Sequence, residues 1–155
     1  MQNAMRLFFG FRGRIARTAW WVASAIIALI NATFIALTDP GYYSAPVASL
    51  GSTIANLIFL IPMTAVLVKR CNDRNWPWWT GLLVQLPLLV FGISDYLGHF
   101  ADDENLTLLQ GAEFSTFIVS FVFVVVDNGF LRGTVGANRY GPDPLEPSAP
   151  STPPT

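Results

Sequence analysis

Residues 19–37 read AWWVASAIIALINATFIAL and contain no charged side chain. As a helix that rises about 1.5 Å per residue, this stretch would cross the hydrocarbon core of a bilayer, which is about 30 Å thick. Three more apolar stretches follow, at about 47–68, 76–97 and 114–131. Of the 155 residues, 52% are hydrophobic and 12% are charged, whereas about a quarter are charged in soluble domains. The sequence therefore predicts an all-α membrane protein, in which residues 1–141 form a four-transmembrane-helix bundle.

The last part of the chain contains the fourth apolar stretch and a proline-rich end. The fourth apolar stretch is rich in valine and phenylalanine, which also favour β-strands. A single strand would leave its backbone N–H and C=O groups unpaired in lipid, so we predict a helix there as well. Residues 142–155 contain six prolines and almost no apolar side chain. Because such a segment buries too little apolar surface to become ordered, we expect a disordered Pro-rich tail in the cytoplasm.

The positive charges all fall on one side of the predicted bundle. Lysines and arginines occur only before span one, between spans two and three, and after span four: Arg6, Arg12, Arg14, Arg17, Lys69, Arg70, Arg74, Arg132 and Arg139. The other two connections and their borders carry acidic residues instead: Asp39, Asp95, Asp102, Asp103, Glu104 and Glu113. Since cytoplasmic loops carry the excess of basic residues, both termini and the middle connection are predicted to be cytoplasmic.

Three amide side chains lie inside the predicted spans, namely Asn31, Asn56 and Gln85. Hydrogen bonds between such groups hold transmembrane helices together, at about 0.6–2 kcal/mol per pair. We therefore expect them to make interhelical polar contacts. A conduction path is the alternative, because Pro62 and Pro87 would bend spans two and three as in the broken helices of transporters.

Three segments on the predicted cytoplasmic side share arginine, glycine, aspartate and tryptophan. They read FRGRIARTAWW at 11–21, KRCNDRNWPWW at 69–79 and GTVGANRYGPDP at 133–144. A basic residue beside an anionic leaflet contributes about 1 kcal/mol, and indole rings favour the headgroup region. We predict a cationic collar that binds lipid headgroups or a partner, with Asp73 paired to the surrounding cations Lys69, Arg70 and Arg74. The collar residues are Arg12, Arg14, Arg17, Arg70, Asp73, Arg74, Trp78, Trp79, Asn138, Arg139, Tyr140 and Asp143.

The same segments carry a resemblance to a known family. The element Phe-x-Gly-Arg-x-x-Arg at 11–17 and the ending Asn-Arg-Tyr-Gly-x-Asp-Pro at 138–144 resemble domain of unknown function family 805, a bacterial inner-membrane family. In the middle element Arg70 and Asp73 match the family, but Asn72 stands where the family has a histidine. The resemblance covers about residues 7–144. It implies a multi-pass fold in a bacterial inner membrane and supplies no activity.

The residue inventory argues against catalysis. Cys71 and His99 are the single cysteine and the single histidine, so this chain alone can form neither a disulfide nor a His/Cys metal cluster. We expect no catalytic residue, no cofactor, no metal and no nucleic-acid partner. The sequence indicates a non-catalytic scaffold or accessory subunit that contacts membrane lipids and joins a homo-oligomer or a larger membrane complex. A small oligomeric channel or transporter is the alternative.

Overall fold

The structure, a computed structural model, describes residues 2–39, 41, 49–100 and 107–146. Its elements are α1 (Gln2–Phe9), α2 (Arg17–Thr38), α3 (Leu50–Asp73), α4 (Trp79–Tyr96) and α5 (Leu108–Phe123), and α5 continues as a π-helix over Val124–Phe130. The four helices α2, α3, α4 and α5 with its π-helix are long and apolar enough to cross a membrane. The prediction of an all-α membrane protein with four spans is confirmed.

Consecutive spans pack side by side. α2 lies against α3, α3 against α4, and α4 against α5, while the π-helix contacts α2 and α3 and so closes the bundle at one end. Buried residues are concentrated at the closed end, where every residue of α3 from Thr64 to Asp73 is buried. Towards the other end the spans expose mainly apolar side chains, and Gln110 is the one buried residue within α5.

Glycine permits the closest approach between two spans. A Cβ atom at Gly81 of α4 would lie 2.9 Å from Cγ2 and 3.1 Å from Cα of Val68 in α3. Real Cβ atoms essentially never have a neighbour within 3.0 Å, and 3.1 Å is tighter than nine in ten of their contacts. Small residues at such contacts let transmembrane helices pack tightly, where dispersion forces and hydrogen bonds replace the hydrophobic effect. Gly81 therefore sets the distance between α3 and α4 near the closed end.

The second span is longer than predicted. α3 continues past 68 to Asp73, so residues 69–73, predicted to lie in a loop, form its last turn. The helix then ends in a Schellman motif: the N–H of Trp76 donates to the carbonyl of Cys71, and that of Asn75 to Asn72. This motif needs a left-handed residue, and Asn75 supplies it with φ of 60°, since asparagine tolerates that region. Accordingly α4 begins at Trp79 rather than at 76.

The fourth span begins earlier than predicted, at Leu108 instead of 114. Thr107 and Gln110 form a capping box, in which each side chain bonds the other residue's backbone N–H. Glu113 was predicted to lie in the connection but is in the second turn of α5. The π-helical end, in which Asp127 and Asn128 are buried, was not predicted at all.

Several sequence predictions fall on residues that the structure does not describe. These are the acidic cluster Asp102, Asp103 and Glu104, and the part of the tail from 147 to 155. The boundary of the tail itself moves. Residue 142 was predicted to begin it, yet Asp143 is buried and accepts a hydrogen bond from the N–H of Gly136, so the folded part of the chain includes Asp143.

Candidate functional site

The three sequence segments fold together at the closed end of the bundle. We call this assembly the cap and define it as residues 10–16, 69–75 and 131–146. At its centre Asp73 lies between two arginines. Its Oδ1 accepts a hydrogen bond of 3.0 Å from Nε of Arg14, and its Oδ2 accepts one from Nη1 of Arg70. The side chains are almost completely buried, with exposed fractions of 1% for both arginines and 4% for Asp73.

Arg14 uses its remaining donors on the third segment. Nη2 donates to the carbonyl of Thr134 at 2.6 Å, while Nη1 donates to the carbonyls of Gly136 at 2.7 Å and Gly141 at 3.2 Å. A guanidinium group buried away from water needs such a full set of acceptors, because each unmatched donor costs free energy. Arg14 thus ties the segment before α2 to the chain after α5.

Arg70 and Trp21 cap the end of the π-helix. The last carbonyls of a helix have no partner within it. Here Nε of Arg70 donates to the carbonyl of Asn128 at 2.7 Å, Nη2 of Arg70 donates to that of Leu131, and the indole N–H of Trp21 donates to that of Gly129 at 3.0 Å. Cations at a helix C-terminus also interact favourably with its dipole. Arg70, a predicted collar residue, therefore stabilises the C-terminal end of the π-helix.

The last turn of α3 also holds the other two segments. The ammonium group of Lys69 donates to the carbonyls of Arg6 and Leu7, which end α1. Asn72 donates to the carbonyl of Gly13 at 3.0 Å. In return the carbonyl of Asn72 accepts from the side chain of Asn138 at 3.0 Å. The amide of Asn72 can donate a hydrogen bond, and here it joins the last turn of α3 to the first segment.

Asp143 closes the third segment. Its carboxylate accepts hydrogen bonds from the N–H groups of Leu145 and Gly136, each at 3.0 Å. The N–H of Leu145 lowers the pKa of Asp143 below its usual value, and the N–H of Gly136 and the charge of Arg14 act in the same direction. All of these groups stabilise the ionised form of the carboxyl group, so Asp143 is negatively charged at neutral pH.

A second ion pair lies beside the first. Arg74 meets Oδ1 of Asp127 at 3.1 Å and remains 24% exposed, whereas Asp127 is 7% exposed. Arg74 also donates to the carbonyl of Arg132 at 2.6 Å. Asp73 was predicted to pair with Lys69, Arg70 and Arg74. Of these only Arg70 pairs with it, since Lys69 caps α1 and Arg74 binds Asp127.

The predicted collar separates into a buried and an exposed part, which corrects the picture of one continuous surface band. Arg14, Arg70, Asp73 and Asp143 are inside the cap and make contacts within the protein. The arginines that face outward at this end are Arg6, Arg12, Arg17, Arg132 and Arg139. Trp78 and Trp79 are also exposed, by 57% and 51%.

Two predicted residues fasten the third segment to the turn after α3. Arg139 donates to the carbonyl of Asn75 at 2.9 Å, and its guanidinium carbon lies 4.8 Å from the ring centre of Tyr140. The hydroxyl group of Tyr140 donates to the carbonyl of Trp76 at 2.7 Å. Such cation–π contacts add about 0.5–1 kcal/mol at exposed sites. Both side chains therefore support the cap from its surface.

The three amides of the spans have different surroundings. Asn31 of α2 donates to Oδ1 of Asn56 in α3 at 2.8 Å, so this pair makes an interhelical hydrogen bond. Gln85 of α4 is buried, with 9% of its surface exposed. All three line one cavity of about 510 Å³ between the spans. The structure thus places the amides in a common space and joins two of them directly.

Comparison with known proteins places the chain in a family. Residues 8–142, which include the whole bundle and most of the cap, match the family described as "Protein of unknown function (DUF805)". The chain belongs to this family. The sequence elements that resemble this family contain Arg14, Asp73, Asn138 and Asp143, and all four residues lie in the cap.

Two related proteins are inner membrane proteins of Escherichia coli. The chain is 25% identical to inner membrane protein YhaH of Escherichia coli strain K12 over 148 residues, which are 94% of this chain and 96% of that protein. The protein of the same name from Escherichia coli O157:H7 has the same identity and coverage. No solved structure matches the chain. The chain is therefore a membrane protein of a family of unknown function, related to YhaH over nearly its full length.

Several residues that hold the closed end of the bundle together were not predicted. Lys69, Thr134 and Asp127 were not proposed as site residues, although Lys69 caps α1 and Thr134 donates to the carbonyl of Asp73 at 2.7 Å. One signal was available: Arg70 and Asp73 are three residues apart, a spacing at which side chains on a helix meet. That spacing favours a helix through residue 73 over a loop.

Proposed function

We propose that this protein is a non-catalytic scaffold of the bacterial inner membrane that binds anionic lipid headgroups at its cap. The observation that supports the proposal is the separation of charge at this end. Asp73, Asp127 and Asp143 are buried, and Glu146 is the exposed acidic residue in the described part of the cap. Five arginines face outward there. The accessible charge is thus strongly positive, as a surface in contact with an anionic leaflet requires.

A small cavity supplies a specific place for a headgroup. It has a volume of about 200 Å³, and Ala16, Arg17 and Arg132 are among the residues that line it. Ala16 is the N-cap of α2 and makes no side-chain capping hydrogen bond, so the first N–H groups of α2 are open to an anion. Helix N-termini attract phosphate through these groups and through the helix dipole. Asp73 and Asp143 also line the cavity, but both carboxylates are already hydrogen-bonded within the cap.

Exposed aromatic and apolar side chains surround the same end. Trp76, Trp78 and Trp79 are exposed by 39%, 57% and 51%, and Met5 and Phe9 of α1 by 63% and 54%. Indole rings favour the headgroup region, and a short amphipathic helix lies in the plane of the interface. These side chains would hold the cap at the depth of the headgroups, where the exposed arginines meet phosphate.

The first test concerns the headgroup cavity. Changing Arg17 and Arg132 together to glutamine should lower the affinity for phosphatidylglycerol about 30-fold, because each basic residue near an anionic surface contributes about 1 kcal/mol. The protein in mild detergent would be titrated with phosphatidylglycerol, and bound lipid would be counted by native mass spectrometry. Phosphatidylcholine serves as the uncharged control lipid.

The matched control keeps the charge. The double lysine variant of Arg17 and Arg132 should bind phosphatidylglycerol almost as well as the original protein. Equal affinity of the original and the glutamine variant would exclude the cavity as a headgroup site. Equal affinity for both lipids would exclude charge recognition altogether.

The proposal also requires the cap to face the cytoplasm, as the positive-inside rule predicts. Cys71 is fully buried, so a single cysteine introduced elsewhere can be labelled without background. In intact bacteria an impermeant maleimide should label His99→Cys, which lies beyond α4, and should label Glu146→Cys only after permeabilisation. Both positions are exposed. Labelling of Glu146→Cys in intact cells would reverse the orientation and overturn the proposal.

A small oligomeric channel or transporter is the second candidate, and the cavity of about 510 Å³ between the spans is the observation that favours it. The cap argues against it, because the tightly hydrogen-bonded cluster of Arg14, Asp73 and Arg70 fills the closed end of the bundle. A water-filled path would have to cross this cluster. Solute flux into proteoliposomes above that of empty vesicles would support the channel over the scaffold.

A further inference from the structure

The large cavity between the spans has properties of its own. It is lined by residues of α2, α3, α4, α5 and the π-helix, and its volume of about 510 Å³ lies within the usual range of ligand sites, about 300–1,000 Å³. Most of its lining is aliphatic or aromatic, for example Ile27, Leu60, Met63 and Phe121. None of the described residues that line it is charged. Its occupant must therefore be largely apolar and carry no net charge.

Several residues that line the cavity also carry polar atoms with no partner in the described part of the protein. Oγ of Ser24 and Oδ1 of Asn31 are buried without a hydrogen bond. Gln85 is more than nine-tenths buried and lines the cavity, and its amide has no hydrogen-bond partner among the residues that the structure describes. An unmatched polar group away from water costs about 1–3 kcal/mol, and lipid tails cannot supply the missing bond. A ligand that carries hydrogen-bond acceptors would satisfy the donors among these groups, the hydroxyl group of Ser24 and the amide NH₂ of Gln85; Oδ1 of Asn31 is itself an acceptor and would need a donor.

The packing of the helices indicates where such a ligand enters. α5 packs along α4, and its side of the bundle meets α2 mainly through the π-helix at the closed end. Trp20 and Trp21 line the cavity near that end, with the cap beyond them. Farther from the cap, α2 and α5 are not held together by comparable contacts. The cavity is thus closed towards the cap and accessible from the lipid phase between α2 and α5.

We infer that this cavity binds an uncharged, lipid-soluble molecule that carries carbonyl oxygens on an apolar body. The carbonyl oxygens accept hydrogen bonds from the amides of Gln85 and Asn56, and the apolar body fills the space lined by aliphatic side chains. A phospholipid headgroup does not fit, because its charge would be unpaired there. Two membrane molecules share the required chemistry, a quinone and a diacylglycerol, and they are distinguished by experiment. This inference is independent of the headgroup site at the cap.

Binding would be measured by native mass spectrometry of the intact protein in mild detergent with three probes. Decylubiquinone and dioctanoylglycerol carry carbonyl oxygens, and decylbenzene is the matched apolar probe without them. We expect one molecule of decylubiquinone or of dioctanoylglycerol per chain, and at least several-fold weaker binding of decylbenzene. The tighter of the first two identifies the source.

Variants test the position and the chemistry separately. Gln85→Leu keeps the size of the side chain and removes its hydrogen bonds, so binding should weaken about 2- to 12-fold, the equivalent of one net hydrogen bond. Ala28 lines the cavity, and Ala28→Phe should fill it and abolish binding. Ala36 is exposed on the same helix, and Ala36→Phe is the matched control that should bind normally.

Each other outcome would overturn the inference. If decylbenzene binds as tightly as the carbonyl compounds, the amides do not select the ligand. If Ala28→Phe binds normally while its thermal unfolding resembles that of Ala36→Phe, the ligand lies elsewhere. If neither carbonyl probe is retained by the original protein, the cavity is not a site for this class of molecule. Normal binding by Gln85→Leu would remove the proposed hydrogen bond.

Discussion

Replacing Asp73 with asparagine should lower the free energy of unfolding by about 3–5 kcal/mol, the usual cost of removing one partner from a buried ion pair. Asp73 is 4% exposed and is the carboxylate between Arg14 and Arg70, each 1% exposed. Without its charge, two guanidinium groups would remain buried close together with no counter-ion. The loss would be measured in mixed micelles from the shift in the midpoint of unfolding by sodium dodecyl sulfate.

The second ion pair provides a matched control for this change. Asp127→Asn also removes a buried carboxylate, but its partner Arg74 is 24% exposed and can be hydrated by water. Solvent-exposed ion pairs contribute about 0–1 kcal/mol, and we expect a loss nearer to that range. If Asp127→Asn proved as costly as Asp73→Asn, the central cluster would not be the main support of the cap.

The spans could be predicted because lipid imposes a simple rule on the sequence. Apolar stretches of about 20 residues cross the bilayer, and their approximate positions agree with α2, α3, α4 and α5. The boundaries differ where local hydrogen bonds decide them. α3 reaches Asp73 because Asn75 adopts a left-handed conformation, and α5 starts at Leu108 because Thr107 and Gln110 cap it. These helix boundaries depend on single side chains, and a hydropathy value averaged over a window of residues does not detect them.

The cap could be located from the sequence but its interior could not. The arginines and glycines of the three segments indicated a shared surface, and in the structure Arg14 bonds Asp73 while Asn138 bonds the carbonyl of Asn72. Their burial was not foreseen, since polarity alone favours exposure. A buried arginine becomes stable only when distant carbonyls converge on it, as those of Thr134 and Gly136 do on Arg14. These contacts join positions more than 100 residues apart. The hydrophobic periodicity within one segment cannot predict them.

The buried and the exposed arginines of the motif segments have different roles in this chain. Arg14 and Arg70 donate their hydrogen bonds to backbone carbonyls and to Asp73, so they stabilise the cap. Arg17 and Arg132 are exposed beside a small cavity and are available to an anion. A substitution at the first pair should therefore act on stability, and one at the second pair on lipid binding. The two experiments separate the structural role of the motif from the proposed function.

Gly133→Ala should be as disruptive as the loss of Asp73, with a destabilisation of about 3 kcal/mol or more, at or above the upper end for overpacking. A Cβ atom on Gly133 would lie 2.5 Å from Cγ of Asp73 and would overlap its carboxylate oxygens. Asp73 cannot move aside, because Arg14 and Arg70 hold both of its oxygens. One added methyl group must therefore break the central cluster or displace the third segment. The midpoint of unfolding in mixed micelles again gives the measurement.

Two other glycines separate crowding from backbone effects. Gly92 lies within α4 and has no atom within 4 Å of a Cβ placed there, so Gly92→Ala should cause no loss. Gly136 has equally open surroundings but a φ of 74°, and Gly136→Ala should cost about 1–2 kcal/mol from the left-handed conformation alone. If Gly133→Ala cost no more than Gly136→Ala, the close packing of Gly133 against Asp73 would be refuted. A loss well above that of Gly136→Ala would show that the third segment is held directly on the ion cluster, so that the cap folds only when all three segments are in place.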